Sequence, residues 1–299
     1  MRIFRAAFLA ALLPACTPLG ILDYIVPDNG YRPVVDISYG SHHRQALDLY
    51  LPNMPAAKPA PVVLFFYGGS WKNGQRAHYR FVGQALASQG IAVAVADYRL
   101  FPEVRFPAFV EDGAKALAML HQTAPKYGLD RDRIFLAGHS AGAHLAALLA
   151  FNPHYLKDAG LDKSAIAGFI GLAGPYAFNP LSYEASREVF QPAKDNIDTA
   201  RPVTFANKES PPALLLHGKE DETVVSGNTE TLARRLNQVG VKAVVRLYPD
   251  IGHAGIVLAM AKPFQGKTPV IEDIIDFIAS RKKGGILSTK SARALSTTD

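Results

Sequence analysis

With 299 residues, 48% of them hydrophobic, the chain is long enough for one large α/β domain, and its single cysteine, Cys16, excludes an internal disulfide. The formal charge of +6 belongs to the ends. Arg2 and Arg5 lie at the start, and Arg281, Lys282, Lys283, Lys290 and Arg293 at the finish, where Asp299 is the lone acid; the interior is formally neutral. A nucleic-acid-binding body is therefore unsupported.

Taken in order, the chain opens on MRIFRAAFLAALLPAC: a basic start, an apolar run from Ala6 to Leu13, and small residues before a cysteine. This is the layout of an export signal, and the run is too short to span a bilayer. Leu13-Pro14-Ala15-Cys16 resembles the lipobox of bacterial lipoproteins. The resemblance implies cleavage before Cys16, lipidation of that cysteine and anchoring to a bilayer in the bacterial cell envelope. Thr17, not being an acid, further implies sorting to the outer membrane of a Gram-negative source, on its periplasmic side. The same pattern leaves open a secreted protein cut after Ala15. Residues 1–15 are thus read as a signal peptide and 16–33 as a linker.

From residue 34 to 281, short apolar segments alternate with helical ones, as expected of a mostly parallel sheet covered on both faces. Eight strands are predicted near Val34–Ser38, Ala46–Leu51, Val62–Tyr67, Ile91–Ala96, Arg133–Ala137, Ala167–Leu172, Ala213–His217 and Lys242–Tyr248. Helices are predicted near His78–Ser88, Pro107–Gln122, Ala141–Phe151, Thr229–Val239 and Val270–Arg281. Gly40-Ser41-His42-His43 leaves no room for a crossover helix, so the first two strands form a hairpin. Residues 174–210, rich in Pro, Asn, Ser and aromatics, break the rhythm and read as a small lid. Residues 282–299 are too polar to pack and read as a disordered tail. No internal repeat or phosphate-binding loop is present.

The chemistry concentrates at Gly138-His139-Ser140-Ala141-Gly142, which is GxSxG between a predicted strand and a predicted helix. A serine on so sharp a turn projects its hydroxyl from the sheet, and the flanking glycines admit close backbone approach. Such a serine needs a base and an acid to orient it. Only His217 and His253 follow residue 154. His253 lies in a turn-like segment after the last strand, where a loop can carry it over the serine, whereas His217 ends a strand and reads as support. Acids available beside it are Glu220, Asp221 and Glu222 after the seventh strand, and Asp250, which reads as a turn former after Pro249. Backbone N–H donors for a developing oxyanion are expected from Ala141 and from Gly69 and Ser70, after the third strand.

With these residues in hand, the chain resembles the α/β-hydrolase superfamily, in particular its carboxylesterase branch of hormone-sensitive-lipase-like, acetyl-esterase-like and kynurenine-formamidase-like enzymes. Besides the elbow, the resemblance rests on Leu47-Asp48-Leu49-Tyr50-Leu51-Pro52, on Asp97-Tyr98-Arg99-Leu100-Phe101-Pro102-Glu103 with Phe106-Pro107-Ala108 and Glu111-Asp112, and on His217-Gly218 followed by Asp221. It implies an α/β-hydrolase fold with a mostly parallel eight-stranded sheet, and a triad of Ser140, Asp221 and His253 with no cofactor and no metal. It also implies a small carboxylic ester as substrate. Trp71 fits the esterase and formamidase versions of its loop and equally fits a core position; the lid aromatics Tyr176, Phe178 and Phe190 either line the acyl or alcohol pocket, with Trp71 and Tyr176 the candidates named for it, or form the core of the lid. Asp97, Arg99, Glu103 and Asp112 are expected to pair and fix the loop near the site. The chain departs from the branch at Tyr67, where histidine is usual, which puts the bracing of the oxyanion loop in question. Other readings of the same residues are an arylformamidase or amide hydrolase, a short-chain peptidase, and a non-catalytic surface binding module.

Overall fold

The computed structural model describes residues 26–53 and 58–281; the signal segment, Cys16 and the tail lie outside the described residues. Eight strands form one sheet: β1 Tyr31–Ser38, β2 Ala46–Pro52, β3 Ala60–Phe66, β4 Ala92–Ala96, β5 Leu129–His139, β6 Gly168–Leu172, β7 Ala213–Gly218 and β8 Ala243–Tyr248. Their order across the sheet is β1-β2-β4-β3-β5-β6-β7-β8. β1 and β2 form the expected antiparallel hairpin, β2 also runs antiparallel to β4, and every pairing from β4 through β8 is parallel.

Burial explains which strands sit where. β4 (AVAVA), β6 and β7 are buried at every position, as strands covered by helices on both faces must be, whereas β1 and β8 expose residues and lie at the edges. The principal helices are α1 Arg80–Ala87, α2 Ala108–Thr123, α3 Ala141–Phe151, α4 Gly227–Gln238 and α5 Val270–Ala279. Every residue of α3 is buried, the mark of a helix enclosed on all sides rather than lying on a surface. Its small residues, Ala143, Ala146 and Ala147, let it sit close to the sheet.

Three strands begin earlier than the pattern predicts, β3 among them at Ala60 rather than Val62. β1 starts at Tyr31, and β5 at Leu129, whose extension through Asp130, Arg131 and Asp132 is largely solvent-facing. Leu129 alone of that extension pairs with Ala60 before a register shift, so charge there conceals a strand that needs no buried face. Between β6 and β7 the chain makes only short turns of helix, at Pro180–Ser182, Glu184–Arg187, Gln191–Ala193, Ile197–Ala200 and Pro202–Phe205. Pro180, Pro192 and Pro202 each stand in the first turn of one of them, where a missing N–H costs nothing. Among the described residues no helix is long and apolar enough to cross a membrane.

Parallel strands deliver all their C-terminal ends to one edge, and the segments that leave β3, β5, β7 and β8 there carry the serine, its base and acid, and the oxyanion donors described next.

Candidate active site

Ser140 stands between the end of β5 and the start of α3 with φ 54° and ψ −122°. A non-glycine residue held there stores roughly 1–3 kcal/mol of strain, and the surroundings enforce it. The Ser140 N–H is tied to Leu172 O of β6 at 2.9 Å. Gly142 shows why the second glycine of the motif is required: a Cβ there would lie 2.1 Å from Phe66 O.

The base arrives on the loop after β8. Asp250, with φ 56°, turns the chain just beyond Pro249. His253 Nε2 then lies 2.8 Å from Ser140 Oγ, and its Nδ1 lies 2.8 Å from Asp221 Oδ2. A carboxylate at Nδ1 fixes the proton there, leaving the Nε2 lone pair to accept from the serine hydroxyl. Asp221 has a fully buried side chain. Its Oδ1 accepts the N–H groups of Thr223 at 2.9 Å and Val224 at 2.8 Å, so its orientation is fixed from behind.

His217 is part of that fixation. Its Nε2–H donates to Val224 O at 2.7 Å and lies 3.2 Å from Asp221 Oδ2, while Nδ1 accepts from the Thr229 hydroxyl at 2.7 Å. Burial lowers its pKa, which keeps it neutral. Of the other acids, Glu222 reaches the rim of the cavity over Ser140, and the Glu220 N–H donates to Ile251 O at 3.0 Å, tying the acid loop to the base loop.

That cavity has a volume of about 240 Å³. At the serine end Ser70, Trp71, Ser140 and Ala141 form its wall; farther out stand Phe178, Tyr183, Val224 and Val225. Ser70 and Trp71 both have positive φ, 54° and 58°, in a tight turn where Gly69 O accepts the N–H groups of Lys72 and Asn73 at 3.0 Å each. Among the described residues the N–H groups of Gly69, Ser70 and Ala141 have no acceptor. Ser70 and Ala141 line the cavity, and Gly69 precedes Ser70 without being part of the lining.

The pocket assignment of Tyr176 needs correction. Its side chain is completely buried against Phe169 at 5.9 Å and forms no part of the cavity wall; Phe178, two residues on, takes that place. No periodic pattern in so short and irregular a segment distinguishes the two. Trp71 does line the cavity, stacked on Phe178 at 6.1 Å and edge-on to Phe190 at 4.8 Å and His144 at 5.1 Å. Phe190 is core. His144 is fully buried and donates Nε2–H to Ala200 O at 2.8 Å, joining α3 to the β6–β7 segment; burial pushes its pKa down to about 4.

Tyr67, the residue that departs from the branch, braces the oxyanion loop itself. Its ring is stacked between Tyr79 at 5.3 Å and Tyr98 at 5.0 Å. Its hydroxyl donates to Asp97 Oδ1 at 2.5 Å and accepts from Arg44 Nη2 at 2.6 Å. Of the four charges expected to pair, Arg99 and Asp112 meet in a two-pronged bridge, whereas Asp97 pairs with Arg76 and Glu103 with His42. Among the described residues no group of three or more His, Cys, Asp or Glu is placed to hold a metal ion.

An elbow serine, a histidine and a carboxylate meeting at the C-terminal edge of a sheet in this strand order define an α/β-hydrolase. The BD-FAE family model matches residues 47–236. A probable isoprenylcysteine alpha-carbonyl methylesterase from Oryza sativa subsp. japonica is 33% identical across 81% of this chain and 63% of its own length. Esterase LipC from Mycobacterium tuberculosis is 32% identical across 73% of this chain and 58% of its own. The chain spans about three fifths of the length of these curated relatives. Among solved structures, an inhibited esterase B from Lactobacillus rhamnosis superposes with a TM-score of 0.74 at 22% identity, covering 86% of this chain and 90% of that one. A truncated carbohydrate esterase from gut microbiota gives 0.71 at 22% identity over 85% and 98%. The chain belongs to the BD-FAE family, an α/β-hydrolase family.

Proposed function

We propose that this chain is a serine carboxylesterase acting on small or short-chain carboxylic esters through an acyl-enzyme. The observation that carries the reading is the unbroken relay from Ser140 Oγ through His253 to Asp221, each link 2.8 Å, opening on a cavity beside two free backbone N–H groups. His253 Nε2 takes the Ser140 proton as Oγ attacks the ester carbonyl, and Asp221 stabilises the imidazolium that forms. The carbonyl oxygen becomes negative and is met by the N–H of Ala141 and that of Ser70, with Gly69 as the neighbouring donor; one such donor is worth about 3–4 kcal/mol of barrier. Collapse transfers the proton from His253 to the departing alcohol. Water, deprotonated by the same histidine, then releases the acid. No cofactor takes part.

Relatives named as methylesterase and esterase support esters over amides as substrates. The cavity, about 240 Å³ with an apolar rim of Tyr183 and Val225, suits a compact apolar acyl or alcohol group. The testing experiment is a matched panel of acetyl, butyryl, octanoyl, feruloyl and formyl-anilide substrates on the wild type and Ser140→Ala. Turnover of the acetyl and butyryl esters, lost in Ser140→Ala, is the expected result; preference for the formyl anilide overturns the ester assignment in favour of an arylformamidase.

The reading extends to an exported enzyme lipid-anchored through Cys16 to the bacterial cell envelope, supported by the basic start, the apolar run and the lipobox-like Leu13-Pro14-Ala15-Cys16. Labelled palmitate appearing on the wild type and not on Cys16→Ser in a bacterial host is the expected outcome; absence of label from both defeats it.

A further inference from the structure

His139, the variable residue of the GxSxG motif, is not a member of the relay, yet its ring is buried and its partner is the base itself. Its Nε2 lies 2.9 Å from the main-chain carbonyl oxygen of His253, and the two rings stand 4.9 Å apart. A carbonyl only accepts, so Nε2 carries the proton and Nδ1 is bare. Among the described residues that bare nitrogen is buried without a partner, and it lies 3.0 Å from where a Cβ on Gly68 would stand. One imidazole thus touches the elbow from which it springs, the oxyanion loop at Gly68 and the base loop at His253.

The base loop has few other anchors. Ile251 O accepts the Glu220 N–H at 3.0 Å, which ties the loop to the acid side of the site. Gly218 packs so closely that a Cβ there would lie 2.0 Å from Ile251 O, again on the acid side. Toward the nucleophile, the His139 contact is the one hydrogen bond among the described residues that joins the main chain of the base loop to the elbow strand. The 2.8 Å link from His253 to Ser140 is a side-chain contact, and its length depends on where the His253 main chain is held.

We propose that His139 is a positioning residue for catalysis: its Nε2–H holds the carbonyl of His253 so that the base sits within proton-transfer distance of Ser140 Oγ. The inference rests on the esterase reading above. Burial keeps the His139 ring neutral, with its pKa pushed down to about 3, so the donor is in place and uncharged near neutral pH. A displacement of the base by about 1 Å costs on the order of 100-fold in rate, which sets the scale of the effect.

The test compares His139→Leu, His139→Asn and His139→Gln with the wild type. Gln places a side-chain N–H near the position of Nε2, whereas Asn is too short and Leu has no donor. Each variant is assayed for kcat and KM on p-nitrophenyl acetate and for the rate at which a fluorophosphonate labels Ser140, with rates expressed per folded molecule by circular dichroism at the assay temperature. Leu and Asn are expected to lower kcat and the labelling rate together by about 10- to 100-fold, with KM within about threefold, and Gln to return most of the lost rate. Equal rates for Asn and Gln, or Leu and Asn activities that match the wild type per folded molecule, overturn the proposal. If Leu fails to fold, the Asn and Gln pair decides. A wild type that neither turns over the ester nor takes the label refutes the esterase reading instead, so the two failures are distinguishable.

Discussion

Acid should destabilise this protein well above the range in which its carboxylates protonate, because imidazoles are sealed neutral in its interior. His139 and His144 are pushed down from 6.5 to about 3 and about 4, chiefly by burial. In the unfolded chain both regain water and titrate near 6.5. Between 6.5 and about 4 the unfolded state therefore binds two protons that the folded state refuses, and stability falls with pH by about 1.4 kcal/mol per unit for each group. The stabilising contribution is fully present above 6.5 and drains away as pH drops toward the folded values. At pH 5 the loss is about 2 kcal/mol per histidine, or about 4 together, a large part of the 5–15 kcal/mol typical of a domain. His217, also lowered by burial, acts in the same direction. Urea unfolding at pH 8, 7, 6 and 5 measures the slope. His144→Gln isolates one contribution, since the amide can still donate to Ala200 O but cannot protonate, and should reduce the slope by about 1.4 kcal/mol per unit below 6.5. Stability unchanged from pH 7 to 5, or a His144→Gln slope equal to that of the wild type, would refute the reasoning.

Three further outcomes follow from the geometry. Asp221→Asn should lower kcat by about 10³- to 10⁴-fold with a modest change in KM, because an amide at this position no longer selects the Nδ1–H tautomer of His253; steady-state kinetics on an acetyl ester checks this, and a loss below tenfold contradicts it. Gly142→Ala should destabilise by about 1–3 kcal/mol, since its methyl meets backbone rather than a yielding side chain at Phe66 O; an unchanged thermal midpoint contradicts it. Tyr67→Phe leaves Asp97 and Arg44 without the hydroxyl that joins them and should cost about 1–3 kcal/mol by urea unfolding, together with weaker turnover as the Gly68-Gly69 loop loosens.

The sheet was legible because its strands are short apolar runs separated by turn residues, and the hairpin because four residues cannot hold a crossover. The Ser140 turn and the His253 loop were legible because each follows a strand directly. What escaped lay where local pattern carries no signal. The charged start of β5, from Asp130 to Asp132, is largely exposed and needs no apolar face, so its composition reads as loop. Tyr176 and Phe178 are both aromatic, and only the path of the chain between β6 and β7 decides which one meets the cavity. Arg99 and Asp112 pair as expected, but the pairing of Asp97 with Arg76 and of Glu103 with His42 depends on side-chain directions that spacing does not encode. His139 occupies a position the motif leaves free, and its partner is 114 residues away, so nothing short of the assembled fold reveals it.

The most direct measurement of the central claim is covalent capture of the serine. The purified protein is incubated with a fluorophosphonate, and its intact mass and the modified peptide are read by mass spectrometry. A single adduct on Ser140, slowed by an ester substrate and sharply reduced in His253→Ala, is the predicted result. Ester turnover that survives in Ser140→Ala, or an adduct that maps to another residue while Ser140 stays free, would contradict the account.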